Sequence, residues 1–520
     1  MTPELRRRLR RARPSLVRAR IRRGYRRTIE RFVTRWPRTH MGVIVGLSAL
    51  GFLYLLSFPL AALLLLTGLP ARVAGLAGPV DWVMLAGVVM LIALLGLVSW
   101  QIARLRFTLP GAEVLEPGEA PVLFDTIDEL CRLFRTAPVH RIVLSERFEV
   151  EMIRTPRFGY PFAFTNTLMV GLPVLLSLSP QQARVLMARR IGQLAAPHGV
   201  PGSWVYVLAR VWPRYRRDAA SAPRPLSWLL RAFFPWYVPL LRRLSRRAAR
   251  QAELDADARL LTVIDDQEVA EALAAGTLRQ RYLDEVFWPR LQPDQPAAPQ
   301  PRSFPYARMT AAIRALGPQK ARQWLDRALS EADSGRGELP GLRARLDHIG
   351  HGVAPVPGPL EEAAAGHYLE ASLAARVRRM DSLWFRGIMP AWRERYERRQ
   401  RSLRHIRALA EKAKGGRLSV QEARGYAVLA ERLLPGAQTC TVYRQLLTMG
   451  VPDAELNLRI GRYLLARGDE MGVVALERVA AYDRTFARAA ARVLARFFSE
   501  RGQPEAASRY LKEALVAQAS

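Results

Sequence analysis

Two long apolar runs dominate the first hundred residues. Residues 41–69 carry no charge and are long enough to cross a hydrocarbon core of roughly 30 Å as a helix. A second run, residues 82–100, is closed by Arg104 and Arg106. The pattern then changes. Leu123, Ile127, Leu130 and Phe134 recur at helical spacing and predict a helix over 120–135, while 140–144, 150–153 and 165–170 read as short strands between charged or Pro/Gly-containing turns. Ser179 as N-cap and Pro180 at the first helical position start the next helix. Its Val185, Leu186, Ile191 and Leu194 make a buried face, with Gly192 admitting a close neighbour. Residues 223–241 are apolar and aromatic but broken by Arg231, Pro235 and Pro239. That is too interrupted for a third span and leaves two readings, a segment in the membrane interface or a buried helix pair.

Composition sharpens this outline. Half of the 520 residues are apolar, enough for two or three cored domains, and the net charge of +33 is almost wholly arginine. Such charge admits anionic lipid or nucleic acid as a partner. No helix-turn-helix or zinc-finger pattern accompanies it, so the lipid bilayer is the expected partner and nucleic acid is not. Fifteen arginines stand against Glu4 and Glu30 in residues 1–39, and Arg72 is the one cation between the two apolar runs. This asymmetry predicts a basic arm (1–40) and a transmembrane hairpin (41–103) with both termini cytoplasmic. The arm is read as a solvated tail that sets topology. Cys131 and Cys440 lie far apart without a C-x-x-C spacing, which fits a reducing compartment.

The helix from Leu178, L-S-P-Q-Q-A-R-V-L-M-A-R-R-I-G-Q-L, resembles the zinc-binding helix L-S-P-x-x-x-x-x-V-L-A-H-E-x-G-H-L of family forty-eight of the metallopeptidases. These are the membrane-anchored gluzincins of the CAAX-prenyl protease and heat-shock membrane protease group. In that motif histidines at i and i+4 share a helix face and ligate zinc, and the intervening glutamate activates the metal-bound water. Here the three positions are Arg189, Arg190 and Gln193. An arginine is neither ligand nor base, and two guanidiniums repel a dication. The helix order and small sheet match the family, whose sheet edge lines a substrate cleft.

A second motif follows in A-E-L-D-A-D-A-R, where E-x-x-A-D places Glu253 at the third ligand position and Asp257 at the position of a supporting aspartate. Y-L-D-E-V-F-W-P at 282–289 resembles the family's membrane-anchored bacterial branch. L-P-G-L-R-A-R-L at 339–346 resembles its H-P-x-L-x-x-R-L segment, with Arg345 kept and Leu339 in place of histidine. His198, after Pro197, is read as a capping or surface residue rather than a displaced ligand, and His348 and His351 as solvated. A buried carboxylate without zinc needs another cation. Arg189 is therefore expected beside Glu253; otherwise Arg189 turns to solvent and Glu253 bonds to water or Arg190.

A Pro/Gly-rich break at 353–359 is expected to end this domain. A long charged helical region follows, with Trp384, Phe385, Trp392 and Tyr396 on a packing face. At the C-terminus Gly461, Gly468, Val473 and Ala480 correspond to Ala495, Gly502, Ala507 and Ala514 at a period of 34, with a weaker copy from Ala423. Small residues recurring where paired helices touch are the tetratricopeptide pattern.

The expected architecture is α+β, mainly α: the hairpin, a gluzincin-like helical domain with a small sheet (109–352), a connector (360–415) and a tetratricopeptide-like α-solenoid (416–520). The expected function is that of a pseudoprotease, an interaction or assembly scaffold at the bacterial inner membrane that binds other proteins through its repeats. No catalytic residue, metal or cofactor is expected at Arg189, Arg190, Gln193, Glu253 and Asp257. The enzymatic alternative is an active zinc metalloendopeptidase with unusual ligands, for which Glu253 is the remnant ligand and zinc the cofactor.

Overall fold

The computed structural model describes residues 37–74, 78–104, 113–160, 163–195, 211–217, 226–294, 296–331 and 340–519. Residues 1–36 of the basic arm, His198, Leu339 and Arg106 lie outside them. The fold is mainly helical with one small mixed sheet, and it divides into two compact units. The first holds residues up to Leu291 together with 303–384, the second 292–302 together with 385–520. The division falls inside a single long helix.

The first unit begins with two helices long and apolar enough to cross a membrane. They are α1 (Pro37–Thr67), continued past Gly68 by α2 (Leu69–Ala74), and α3 (Pro79–Ala103). In α3 only Val98 and Ile102 are buried; Leu85, Val88, Ile92 and Leu95 are half-buried, and most of the remaining apolar residues are exposed. A four-stranded sheet follows, β1 (Glu113–Leu115), β2 (Arg141–Ser145), β3 (Val150–Pro156) and β4 (Phe164–Gly171), in the order β1-β2-β4-β3. β2 and β4 are parallel and the outer pairs antiparallel, which leaves β3 on an edge. Three strands match the sequence reading. β1 does not, because three residues are too few to show alternation.

Helices cover the sheet: α4 (Pro121–Leu133), α5 (Leu172–Ser177) and α6 (Pro180–Gly192). The α4 periodicity buries Leu123, Ile127 and Leu130 as the spacing requires. Ser179 and Gln182 cap α6 reciprocally, each side chain accepting from the other's backbone N–H at 3.3 Å, with Pro180 at the first helical position. Val185 and Ile191 are buried, whereas Leu186 and Leu194 are half-buried. Gly192 is not sterically required: a Cβ there would make ordinary contact, 3.5 Å, with the Phe134 ring.

Of residues 223–241, expected to be broken at Arg231, Pro235 and Pro239, the described ones belong to one helix, α7 (Leu226–Leu244), with both prolines inside it. A helix survives proline when tertiary packing outweighs the lost hydrogen bonds. Here Phe233, Phe234, Tyr237, Val238 and Leu241 are buried against α1, α3 and the helical stretch 211–217.

The unit continues with α8 (Arg246–Leu260), α9 (Asp266–Tyr282), α10 (Pro305–Arg314), α11 (Pro318–Ser330), α12 (Leu342–His348) and α13 (Ala364–Leu369). The Pro/Gly-rich segment does not end it. Arg279 reaches from α9 to the Gly358 carbonyl at 3.2 Å, Ala364 N–H donates to Leu178 O at 2.8 Å, and Arg376 pairs with Glu113 and Glu119. Backbone groups in a proline-rich segment still need partners when buried. The core of this unit supplies them out to Trp384.

The second unit takes the rest of the long helix α14 (Leu373–Lys414) and six further helices: α15 (Val420–Leu433), α16 (Gly436–Thr448), α17 (Ala454–Leu465), α18 (Met471–Tyr482), α19 (Arg484–Glu500) and α20 (Pro504–Ala519). They pack as consecutive pairs, α15 with α16, α17 with α18 and α19 with α20. Gly416 and Gly450 have φ of 65° and 64°, and Gly468 and Gly502 of 77° and 71°. Each pair is 34 residues apart. Gly468 and Gly502 make the left-handed turn inside a helix pair and Gly416 and Gly450 the one that precedes a pair, so each kind of turn recurs after 34 residues.

Candidate functional site

The site forms where α6 meets α8, α9 and the edge strand β3. Arg189 and Arg190 sit in the last turn of α6, and Glu253 and Asp257, one helical turn apart, point from α8 toward them. All four belong to one cluster. Arg189 donates through Nη2 to Glu253 Oε2 at 2.7 Å and to the Glu253 carbonyl at 3.1 Å, and through Nε to Asp257 Oδ1. Arg190 donates through Nη1 to both Glu253 oxygens, at 3.1 and 3.0 Å, and through Nε to Val150 O on β3 at 2.7 Å. Arg189 thus stands beside Glu253 as expected and does not turn to solvent, as the alternative required; Arg190, named in that alternative, shares the same carboxylate.

A third arginine completes the cluster. Arg345, on α12, donates through Nε to Asp257 Oδ2 at 2.8 Å and through Nη2 to Asp257 Oδ1 at 2.9 Å, a bidentate fork. Its place in L-x-x-R-L marks it in the sequence, but nothing there pairs it with Asp257. Gln193 stands apart. It follows the end of α6, and its Nε2 is buried without a hydrogen-bond partner among the described residues. His348 is exposed, and His351 is half-buried with Nδ1 3.6 Å from Asp266.

Burial makes these pairings consequential. Glu253 is 1% exposed, Asp257 0% and Arg189 5%. Burial alone would push Asp257 up, yet the Arg345 and Arg189 guanidiniums hold its carboxyl below the usual range. Burial would likewise lower Arg189, and Asp257 with Glu253 outweighs it, so Arg189 is held charged more firmly than usual. Arg345 moves the other way, lowered by burial and by the like charge of Arg189 against the attraction of Asp257. Three cations face two anions, and Arg345 carries the surplus.

A cleft of about 630 Å³ opens above the cluster. Glu149, Val150 and Glu151 form its sheet side, Leu186, Arg189 and Arg190 its floor, and Leu273, Gly276, Leu342 and Arg345 the opposite wall. Burial, reinforced by Glu151, raises the Glu149 carboxyl against the pull of Arg147 and Arg190. On the edge strand, the outward carbonyls of Val150 and Arg154 are taken by Arg190 and by Arg214 at 3.4 Å.

These residues do not fit zinc. A guanidinium offers donors and no lone pair, and both carboxylates already point their oxygens at arginine. Among the described residues no three of histidine, cysteine, aspartate and glutamate come together as a ligand set. The arrangement can hold helices in register and present a wall of fixed donors to the cleft. Comparison of the chain with protein-family models, curated proteins and solved structures finds no match.

Proposed function

We propose that the chain is a pseudoprotease anchored in the bacterial inner membrane, its zinc site rebuilt as an ion-pair cluster, acting as an interaction scaffold. The observation that carries this reading is the saturation of Glu253 and Asp257 by Arg189, Arg190 and Arg345. The ligand and support positions of the metallopeptidase-like motifs are occupied by a structural bond set, whose carboxylate oxygens are already directed at arginine. Two apolar helices at the start of the chain support the anchor. The helix pairs after residue 416, with left-handed glycines in two pairs each 34 residues apart, support a tetratricopeptide-like array, and stacked helix pairs expose surfaces that bind peptides or proteins.

Metal analysis of the purified full-length protein tests the reading. It is expected to contain far less than one zinc per chain and to cleave no peptide beyond background. One zinc per chain, lost on Glu253→Ala, would establish the peptidase alternative. Co-purification with residues 416–520 deleted is expected to lose protein partners while retaining the anchor.

A further inference from the structure

The hairpin sets a height scale. In α3 no residue before Val98 is fully buried, over about 28 Å of helix at 1.5 Å per residue, close to the hydrocarbon thickness. Trp82 and Trp100, both exposed, bracket this stretch as interfacial tryptophans do, and Arg104 stacks 4.1 Å over the Trp100 ring. Tyr54 lies twenty residues before Ala74, and Ser99 twenty residues after Pro79. On antiparallel arms they therefore stand at one height, that of Trp100.

Against this scale α7 is upright rather than flat. Tyr54 Oη donates to Leu229 O at 3.0 Å and Tyr237 Oη donates to Leu47 O at 2.8 Å. Eight residues of α7 thus match seven of α1 in the opposite direction, and the Tyr54 and Phe233 rings stack at 4.2 Å between them. The start of α7 meets the bilayer boundary and its end rises away from it. On the outer face Trp228, 71% exposed, sits at the boundary, and exposed Arg231 about 4.5 Å higher. Trp236, 52% exposed, is about 12 Å above Trp228.

We propose that Trp228 and Arg231 form a headgroup contact for anionic phospholipid, the indole at the acyl boundary and the guanidinium on the phosphodiester. Indole is favoured where one edge is apolar and the other wet, and arginine binds a phosphate with two donors. Continuity with the hairpin and the sign of the charge select the lipid. The inference rests on the reading that the hairpin spans the membrane.

The test uses the full-length chain with Cys440→Ser in nanodiscs of phosphatidylcholine, with and without phosphatidylglycerol. Nitroxides are placed at Trp228→Cys, Trp236→Cys and, within the hairpin, Leu91→Cys. Position 228 is expected to relax with oxygen several-fold more than with an aqueous nickel chelate, and position 236 the reverse. Phosphatidylglycerol should raise the melting temperature of the protein with Trp228 intact, and Arg231→Gln should abolish that gain. Inorganic phosphate should not reproduce it. Aqueous exposure at 228 equal to that at 236, with 91 still in lipid, overturns the headgroup contact alone. Aqueous exposure at 91 as well overturns the membrane reading and this inference with it. A lipid-buried 228 whose phosphatidylglycerol gain survives Arg231→Gln overturns the anion contact.

Discussion

Asp257→Ala should destabilise the first unit by about 3–5 kcal/mol, the usual cost of leaving a buried ion pair without one partner. Asp257 is fully buried and receives Arg189 on one side and both nitrogens of the Arg345 fork on the other. Its removal leaves two buried guanidiniums facing each other, with Glu253 as the one remaining anion of the cluster. Chemical unfolding of the detergent-solubilised chain reads the effect, and a loss under about 1 kcal/mol would mean that water or a rearranged side chain replaces the bond set. The same residue sets an acid dependence. Because its folded pKa is lowered, the stability that Asp257 confers is fully present above its unfolded value of about 3.9 and disappears as pH falls through the lower folded value. Asp257→Asn should flatten that acid limb while leaving the neutral plateau lower throughout.

Gly461→Val should separate α17 from α18. A Cβ at 461 would stand 2.4 Å from Leu476 Cγ and 2.9 Å from the Gly472 carbonyl, and one at Gly472 would stand 2.8 Å from the Gly461 carbonyl. Two backbones in contact cannot both give way. Overpacking typically costs about 1–3 kcal/mol, and an obstructing carbonyl puts this site at the upper end. Hydrogen exchange over 454–482 should lose protection, whereas Gly425→Ala, with open space around its Cβ, should be neutral or mildly stabilising. Equal protection in both variants would show that the crossing is looser than these distances require.

The legible part of the candidate site was its helices and their order. Ser179 and Pro180 fix the start of α6, and the E-x-x-A-D spacing puts Glu253 and Asp257 on one face of α8. The bond set was legible only as far as Arg189. Recruitment of Arg345 depends on α12 crossing α8, and the capture of Val150 O by Arg190 depends on β3 being an edge strand. Gln193, at the position i+4 to Arg189, falls outside the cluster because α6 ends at Gly192.

The sequence by itself determined what is written in one dimension: two apolar runs of spanning length, the apolar faces of α4 and α6, three of the four strands, and a 34-residue recurrence whose glycines end helices. Each follows from local period, capping or the φ preference of glycine. Tertiary structure alone decided the remainder. It carried α7 through Pro235 and Pro239 because aromatic packing on the hairpin outweighs the broken ladder. It extended the first unit past 353–359 through Arg279 and Arg376. It also chose which cation answers each buried carboxylate, since a desolvated charge takes the partner that the packed backbone brings within reach, at whatever distance along the chain.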